Sequence, residues 1–153
     1  MATRRAMSTA PDAQLEFTRA LHDFFQAARR ARGRAARDTP AGALSLAQYH
    51  LLEPLADGPR TNRELAELAG ISAPTATRMI DGLAKRGLVT RIADPSDGRA
   101  VVITPTAEGR AALARKTREY DARRRRIAAA LEPHEQELAA DLLRRLAAVI
   151  EEL

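Results

Sequence analysis

The 153-residue chain has no cysteine, which excludes disulfide staples, thiolate metal sites and thiol-based peroxide sensing within it. Aromatic side chains are scarce too, at 3% against 45% hydrophobic residues, so alanine and leucine in packed helices must build the core. Lys85 and Lys116 are the only lysines; the other basic residues are arginines. Rigid guanidinium forks suit phosphate, but an Ala- and Arg-rich genome leaves the same trace and accounts for most of them. No run approaches the roughly 18 apolar residues of a membrane span. Met1-Ala2-Thr3-Arg4-Arg5 has no apolar segment behind it for secretion, so the expected location is the cytoplasm, with no membrane partner. No Ser-His-Asp or Cys-His set, phosphate-binding glycine loop or close carboxylate pair occurs where catalysis could be argued, and an enzyme is not expected. His22, His50 and His134 lack the i, i+4 spacing of paired ligands, so no metal or cofactor is expected either.

What is present is a net charge of +5 with a pI of about 10.6, which suits a polyanionic partner. A dense run of signals extends from Thr61 to Thr106. Thr61-Asn62-Arg63-Glu64 reads as a capping box, with the threonine hydroxyl on the amide of Glu64 and the carboxylate reaching back. Leu65 and Leu68 give that helix an apolar face, and Gly70 tolerates positive φ just beyond its end. Ile71-Ser72 then supplies a buried contact and a new N-cap, so the two helices must cross steeply. The second helix places Ala76, Met79, Ile80 and Leu83 on one face, and Pro74 fits its first turn.

Outside that face lie Ser72, Ala73, Pro74, Thr75, Thr77 and Arg78, mostly small and polar, as the tip of a helix entering the major groove must be. The helix N-terminus attracts phosphate through free amides and its dipole. Arg78 has the two-pronged reach for guanine O6 and N7. Any amphipathic helix exposes polar groups at its start, so the helix pair alone does not decide. The next segment does. Leu88 to Ile92 and Val101 to Thr104 read as two strands flanking the turn Asp94-Pro95-Ser96-Asp97-Gly98-Arg99. An arginine at such a loop tip enters a neighbouring minor groove, and Asp97 would steady Arg99 by an ion pair.

From about Leu44 to Gly109 the chain resembles the MarR family of bacterial transcription regulators. Leu44 to Tyr49 is similar to the opening of the family's second helix, Thr61 to Ala69 to its third, and Ser72 to Gly87 to its recognition helix. Asp94 to Arg99 is similar to the wing signature, and Thr106-Ala107-Glu108-Gly109 to the start of the fifth helix. The resemblance puts Arg99 in the minor groove and Thr75 and Arg78 against bases or nearby phosphates. Three departures stand out: Gly98 replaces a frequent basic residue, Pro105 should end its strand early, and Pro54 should bend the second helix. The implied fold is mainly α with a small β-wing, a winged helix-turn-helix joined to a helical dimerisation domain.

The expected organisation is a loose tail over 1–10, an N-terminal dimerisation helix and connection over 11–43, the winged DNA-binding domain over 44–106 and C-terminal dimerisation helices over 107–153. Leu15, Phe17, Leu21, Phe24, Phe25 and Ala28 form one broad stripe, and Leu138, Leu142, Leu143, Leu146, Val149, Ile150 and Leu153 form another. Both are too apolar to stand alone, and a two-fold partner would cover them. Arg123 to Arg126 read as a solvated helix end favoured by the dipole. A homodimer presents two reading helices to half-sites about 10 bp apart, so the partner is double-stranded DNA with a palindromic operator. Thr61, Arg63 and Ser72 would set register on phosphates, and Thr75, Thr77 and Arg78 would discriminate bases. In MarR-like proteins small aromatic or anionic effectors often bind between the helices and the winged domain. Here Phe25, Arg29, Tyr49 and His50 are candidates to line such a pocket, though Phe25 and Tyr49 can equally be core and Arg29 surface. The reading is a homodimeric repressor relieved by such an effector; the alternative is a ligand-independent winged-helix activator or architectural protein.

Overall fold

Alternating caps and apolar stripes divide the described residues into six α-helices, a 3-10 segment and three short strands. The computed structural model describes residues 10–94, 96–98 and 100–152. The expected tail and Arg99 lie outside or largely outside the described residues. Two compact units result, the first ending at residue 46 and the second running from 47 to 153.

The first unit is built on α1 (Ala10–Arg37), which carries Asp12 in its first turn and Arg34 and Arg37 in its last, in keeping with the helix dipole. Leu15, Phe17, Phe24 and Phe25 each remain roughly half exposed in the single chain.

The helix α2 (Leu46–Leu52), which belongs to the second unit from residue 47 on, buries Tyr49, Leu51 and Leu52. Here the expected bend at Pro54 is corrected. The helix stops at Leu52, and Pro54 sits in the first turn of a separate 3-10 segment (Glu53–Asp57), where a missing N–H and a fixed φ cost nothing. The chain then makes β1 (Arg60–Thr61), α3 (Asn62–Leu68) and α4 (Ala73–Lys85). Gly70 adopts φ of 64° and lets Ile71 donate its amide to Ala66 O at 3.0 Å, closing α3 within two residues of the next N-cap.

A hairpin of β2 (Val89–Ala93) and β3 (Val101–Pro105) follows, and β3 also pairs with β1, giving the antiparallel order β1-β3-β2. The early end expected at Pro105 is also corrected: β3 runs through it, with Pro105 opposite Val89. As the last residue of the strand, its lack of an N–H leaves the preceding ladder intact. α5 (Ala107–Ala128) and α6 (Pro133–Glu151) complete the unit.

Leu51, Leu52, Leu65, Ala76, Ile80 and Leu83 are wholly buried, and Leu88, Val89, Val102 and Ile103 bring the sheet onto them. Met79 and Ile71 are half-buried at the margin. Leu68 departs from expectation: it is 63% exposed, while Ala66 takes the inner position. On α6, Leu138, Leu142, Leu143, Val149 and Ile150 are all exposed. No described helix is long and apolar enough to cross a membrane.

Two leucines three residues apart should therefore differ sharply. Leu65→Ala is expected to lower unfolding free energy by about 2–5 kcal/mol and Leu68→Ala by less than about 0.5 kcal/mol, read from urea titrations. Equal effects would displace this account of the α3 face.

Candidate nucleic-acid interface

The reading elements begin at two caps. Thr61 Oγ1 accepts the amide of Glu64 at 3.2 Å, while Glu64 Oε2 accepts the Thr61 amide at 2.7 Å and its hydroxyl at 2.8 Å. The capping box is formed as the sequence predicts. Those same bonds, first from the Thr61 amide and then from its hydroxyl, hold the Glu64 carboxyl below the usual carboxylate range. At α4, Ser72 Oγ accepts the Thr75 amide at 3.4 Å and shares a hydrogen with Thr75 Oγ1 at 2.8 Å.

These bonds revise the anion-binding argument for the helix tip. Pro74 has no amide proton, that of Thr75 is held by Ser72 Oγ and that of Ala76 by Ser72 O, which leaves the Ala73 amide for a phosphate. Thr77 is occupied as well: its hydroxyl donates to Ala73 O at 2.9 Å and accepts from Asn62 Nδ2 at 3.0 Å. Asn62 thus ties the start of α3 to the start of α4, and its Oδ1 has no partner among the described residues. That cross-link was missed in the sequence, where Asn62 reads only as a helix-start residue.

The two cations differ. Arg63 Nε donates to Glu67 Oε1 at 2.8 Å along the outer face of α3. Arg78 is exposed on α4 and, among the described residues, has no hydrogen bond or ion pair. Ser72, Ala73, Pro74 and Thr77 are exposed beside it, with Thr75 half-buried.

The wing is braced at both ends. Arg91 on β2 donates to Asp81 on α4 at 2.5 Å, tying the hairpin to the reading helix. Asp94 Oδ1 accepts the Ser96 amide at 2.8 Å and the Ser96 hydroxyl at 2.7 Å, an Asx turn that lowers the Asp94 pKa. Across the turn the Asp94 amide donates to Ala100 O at 2.8 Å and that of Ala100 to Asp97 O at 2.9 Å. The expected Asp97–Arg99 ion pair lies outside the described residues.

The four pocket candidates fall into two pairs on different units. Phe25 and Arg29 line an open depression of about 210 Å³ with His22, Gln26 and Arg32 on α1. Tyr49 and His50, with ring centroids 5.4 Å apart, join a cluster on the second unit. Tyr120 of α5 packs tilted against Tyr49 at 5.5 Å and edge-on against His50 at 5.6 Å, and the Arg124 guanidinium covers its ring at 4.7 Å. The Tyr49 hydroxyl donates to Glu53 Oε1 at 2.9 Å. Burial raises its pKa, a hydrogen bond with Thr117 opposes that, and Glu53 reinforces it. Tyr120 escaped the sequence reading, and Arg124 was read only as part of a solvated helix end; the signal for the cluster was the 117, 120, 124 spacing, which puts Thr117, Tyr120 and Arg124 on one helix face. Among the described residues no cluster of His, Asp or Glu could hold a metal ion.

A family model described as the MarR family matches residues 44–101. YxaD, an HTH-type transcriptional regulator of Bacillus subtilis, is 31% identical over 106 residues, covering 69% of this chain and 74% of its own. The chain belongs to the MarR family. For two further HTH-type regulators of that organism, YcgE and YwaE, the matched stretch spans only 31% and 53% of their length. Among solved structures, the transcriptional repressor CouR bound to a 23-mer DNA duplex is 31% identical, with a TM-score of 0.63 over 79% of this chain and 89% of that one. BpsR of Bordetella bronchiseptica, whose DNA binding is regulated by 6-hydroxynicotinic acid, is 26% identical, with a TM-score of 0.67 over 82% of this chain and 91% of that one. YxaD and CouR are thus both transcriptional regulators.

The capping box carries a pH signature. Because the folded-state pKa of Glu64 is lowered, its stabilisation is full above the ordinary glutamate value and is lost as pH falls through the folded value. Glu64→Gln should therefore melt below the native protein at pH 7, and the gap should close towards pH 3 in thermal scans. A gap that stayed constant would rule out the charge as its source.

Proposed function

We propose that this MarR-family chain is a homodimeric, sequence-specific DNA-binding regulator of the cytoplasm, acting as a repressor at a palindromic operator and released by a small aromatic or anionic ligand. The observation that carries the reading is Arg78, an exposed guanidinium with no partner among the described residues, beside a helix tip of small side chains. A free fork at that place supports bidentate readout of guanine. Thr61, Arg63, Ser72 and the Ala73 amide are suited to phosphate contacts that set register. Thr75 and Thr77, whose hydroxyls are already bonded internally, contribute shape more than readout. Arg99 is assigned to the minor groove by the family resemblance.

Pairing is supported by the exposed stripes of α1 and α6, with residues 11–43 and 107–153 as the dimerisation segments around a winged domain over 44–106. Release by a ligand draws on the likeness to BpsR and, on the second unit, on the clustered rings of Tyr49 and His50. One observation favours the ligand-independent alternative. The depression beside Phe25 and Arg29 is open and, at about 210 Å³, smaller than the roughly 300–1,000 Å³ of ordinary ligand sites.

Selection of bound sequences from random duplex DNA should return an imperfect palindrome. Against it, Arg78→Ala should lose about 1–3 kcal/mol and relax one base position in each half-site. Uniform loss on every sequence would remove the readout role of Arg78, and a monomer by light scattering would remove the dimeric reading. A panel of phenolic acids added to the bound complex separates the repressor from its ligand-independent alternative.

A further inference from the structure

The end of the reading helix and the start of α5 share one knot of backbone. Past α4, Gly87 N donates to Ala84 O at 2.9 Å and Leu88 N to Leu83 O at 3.0 Å, so the chain leaves the helix in a fixed direction. The carbonyls of those two residues then hold α5. Thr106 N donates to Leu88 O at 3.0 Å, and Thr106 Oγ1 donates to Gly87 O at 2.7 Å. The same hydroxyl caps α5 by accepting the Gly109 amide at 3.0 Å. Gly109 is buried, and a Cβ there would stand 1.8 Å from Leu88 O and 2.9 Å from its carbonyl carbon. Nothing flexible lies in that direction, since both are backbone atoms. Any side chain at 109 must push the first turn of α5 away from the exit of α4.

We propose that Gly109 is a positioning residue for DNA recognition: with Thr106 it welds α4 to α5 at a set angle, and so fixes how far apart the two reading helices of the dimer stand. α5 and α4 then turn together as one lever. The proposal rests on the dimeric DNA-binding reading for its consequence, though the weld itself is a property of the single chain. Within that first turn the neighbours Glu108 and Arg110 are open to solvent.

Two measurements on the full-length protein test it. The first needs no DNA. Because the chain has no cysteine, spin labels attach only where cysteines are introduced, as in Lys85→Cys with Arg115→Cys, both exposed, the first at the end of α4 and the second two turns into α5. Labelled chains diluted into unlabelled protein should give one narrow distance, and adding Gly109→Ala should shift it. An unchanged distance overturns the weld. The second uses the selected palindrome with half-sites moved apart or together by one and two base pairs, and an isolated half-site. Gly109→Ala should lose tenfold or more at the native spacing, prefer an altered spacing, and bind the isolated half-site within twofold of the native protein.

A residue that merely stabilises the fold would weaken all spacings alike, and that result overturns the positioning role. Should Gly109→Ala not fold, Thr106→Val decides by the same two measurements. It should broaden both the label distance and the spacing preference, Thr106→Ser should restore them, and no change in Thr106→Val overturns the proposal. Failure of the native protein to bind any palindrome would defeat the dimeric reading, while the label distance still judges the weld.

Discussion

Six side chains with no exposure to solvent, Leu51, Leu52, Leu65, Ala76, Ile80 and Leu83, decide where the polar faces of α3 and α4 point. Each buried methylene contributes about 0.8 kcal/mol, and the sheet alone cannot substitute for them. Its first strand is two residues long and its others five, too little for independent stability. The strands hold because Val89, Val102 and Ile103 close over the helices, and the helices keep their crossing because Gly70 turns the chain within two residues. The outward placement of Arg78 follows from the inward placement of Ile80 and Leu83.

Local chemistry was the legible part of the sequence. The Thr61 and Ser72 caps, the turn at Gly70 and the start of α5 at Thr106 depend on residues within a few positions of one another, and all appear as read. Misreadings arose where a short element leaves the pattern ambiguous. α3 has only two turns, and the inward arc can be centred between Leu65 and Leu68 or between Leu65 and Ala66; packing chose the second, leaving the larger side chain in water. Pro54 and Pro105 were read as interruptions, yet each falls at an element boundary, where a missing donor is harmless.

The parts of the candidate interface that could not be read are contacts between distant positions. Asn62 with Thr77, Asp81 with Arg91, and Tyr49 with Tyr120 are separated by 15, 10 and 71 residues, and no periodicity announces them. They change the chemistry of the surface. Hydroxyls that a sequence offers to DNA turn out to be employed in holding the helices, so the surface reads through fewer free groups than its composition suggests. Arg78 differs in making no side-chain hydrogen bond or ion pair among the described residues.

The aromatic poverty of the chain has a practical outcome at the junction of α2 with α5. There is no tryptophan, and the two tyrosines, Tyr49 and Tyr120, are neighbours in a single cluster capped by Arg124. Tyrosine emission and the phenolic near-ultraviolet dichroism therefore originate at one spot, giving the native protein a built-in optical gauge of whether those two helices stay in register.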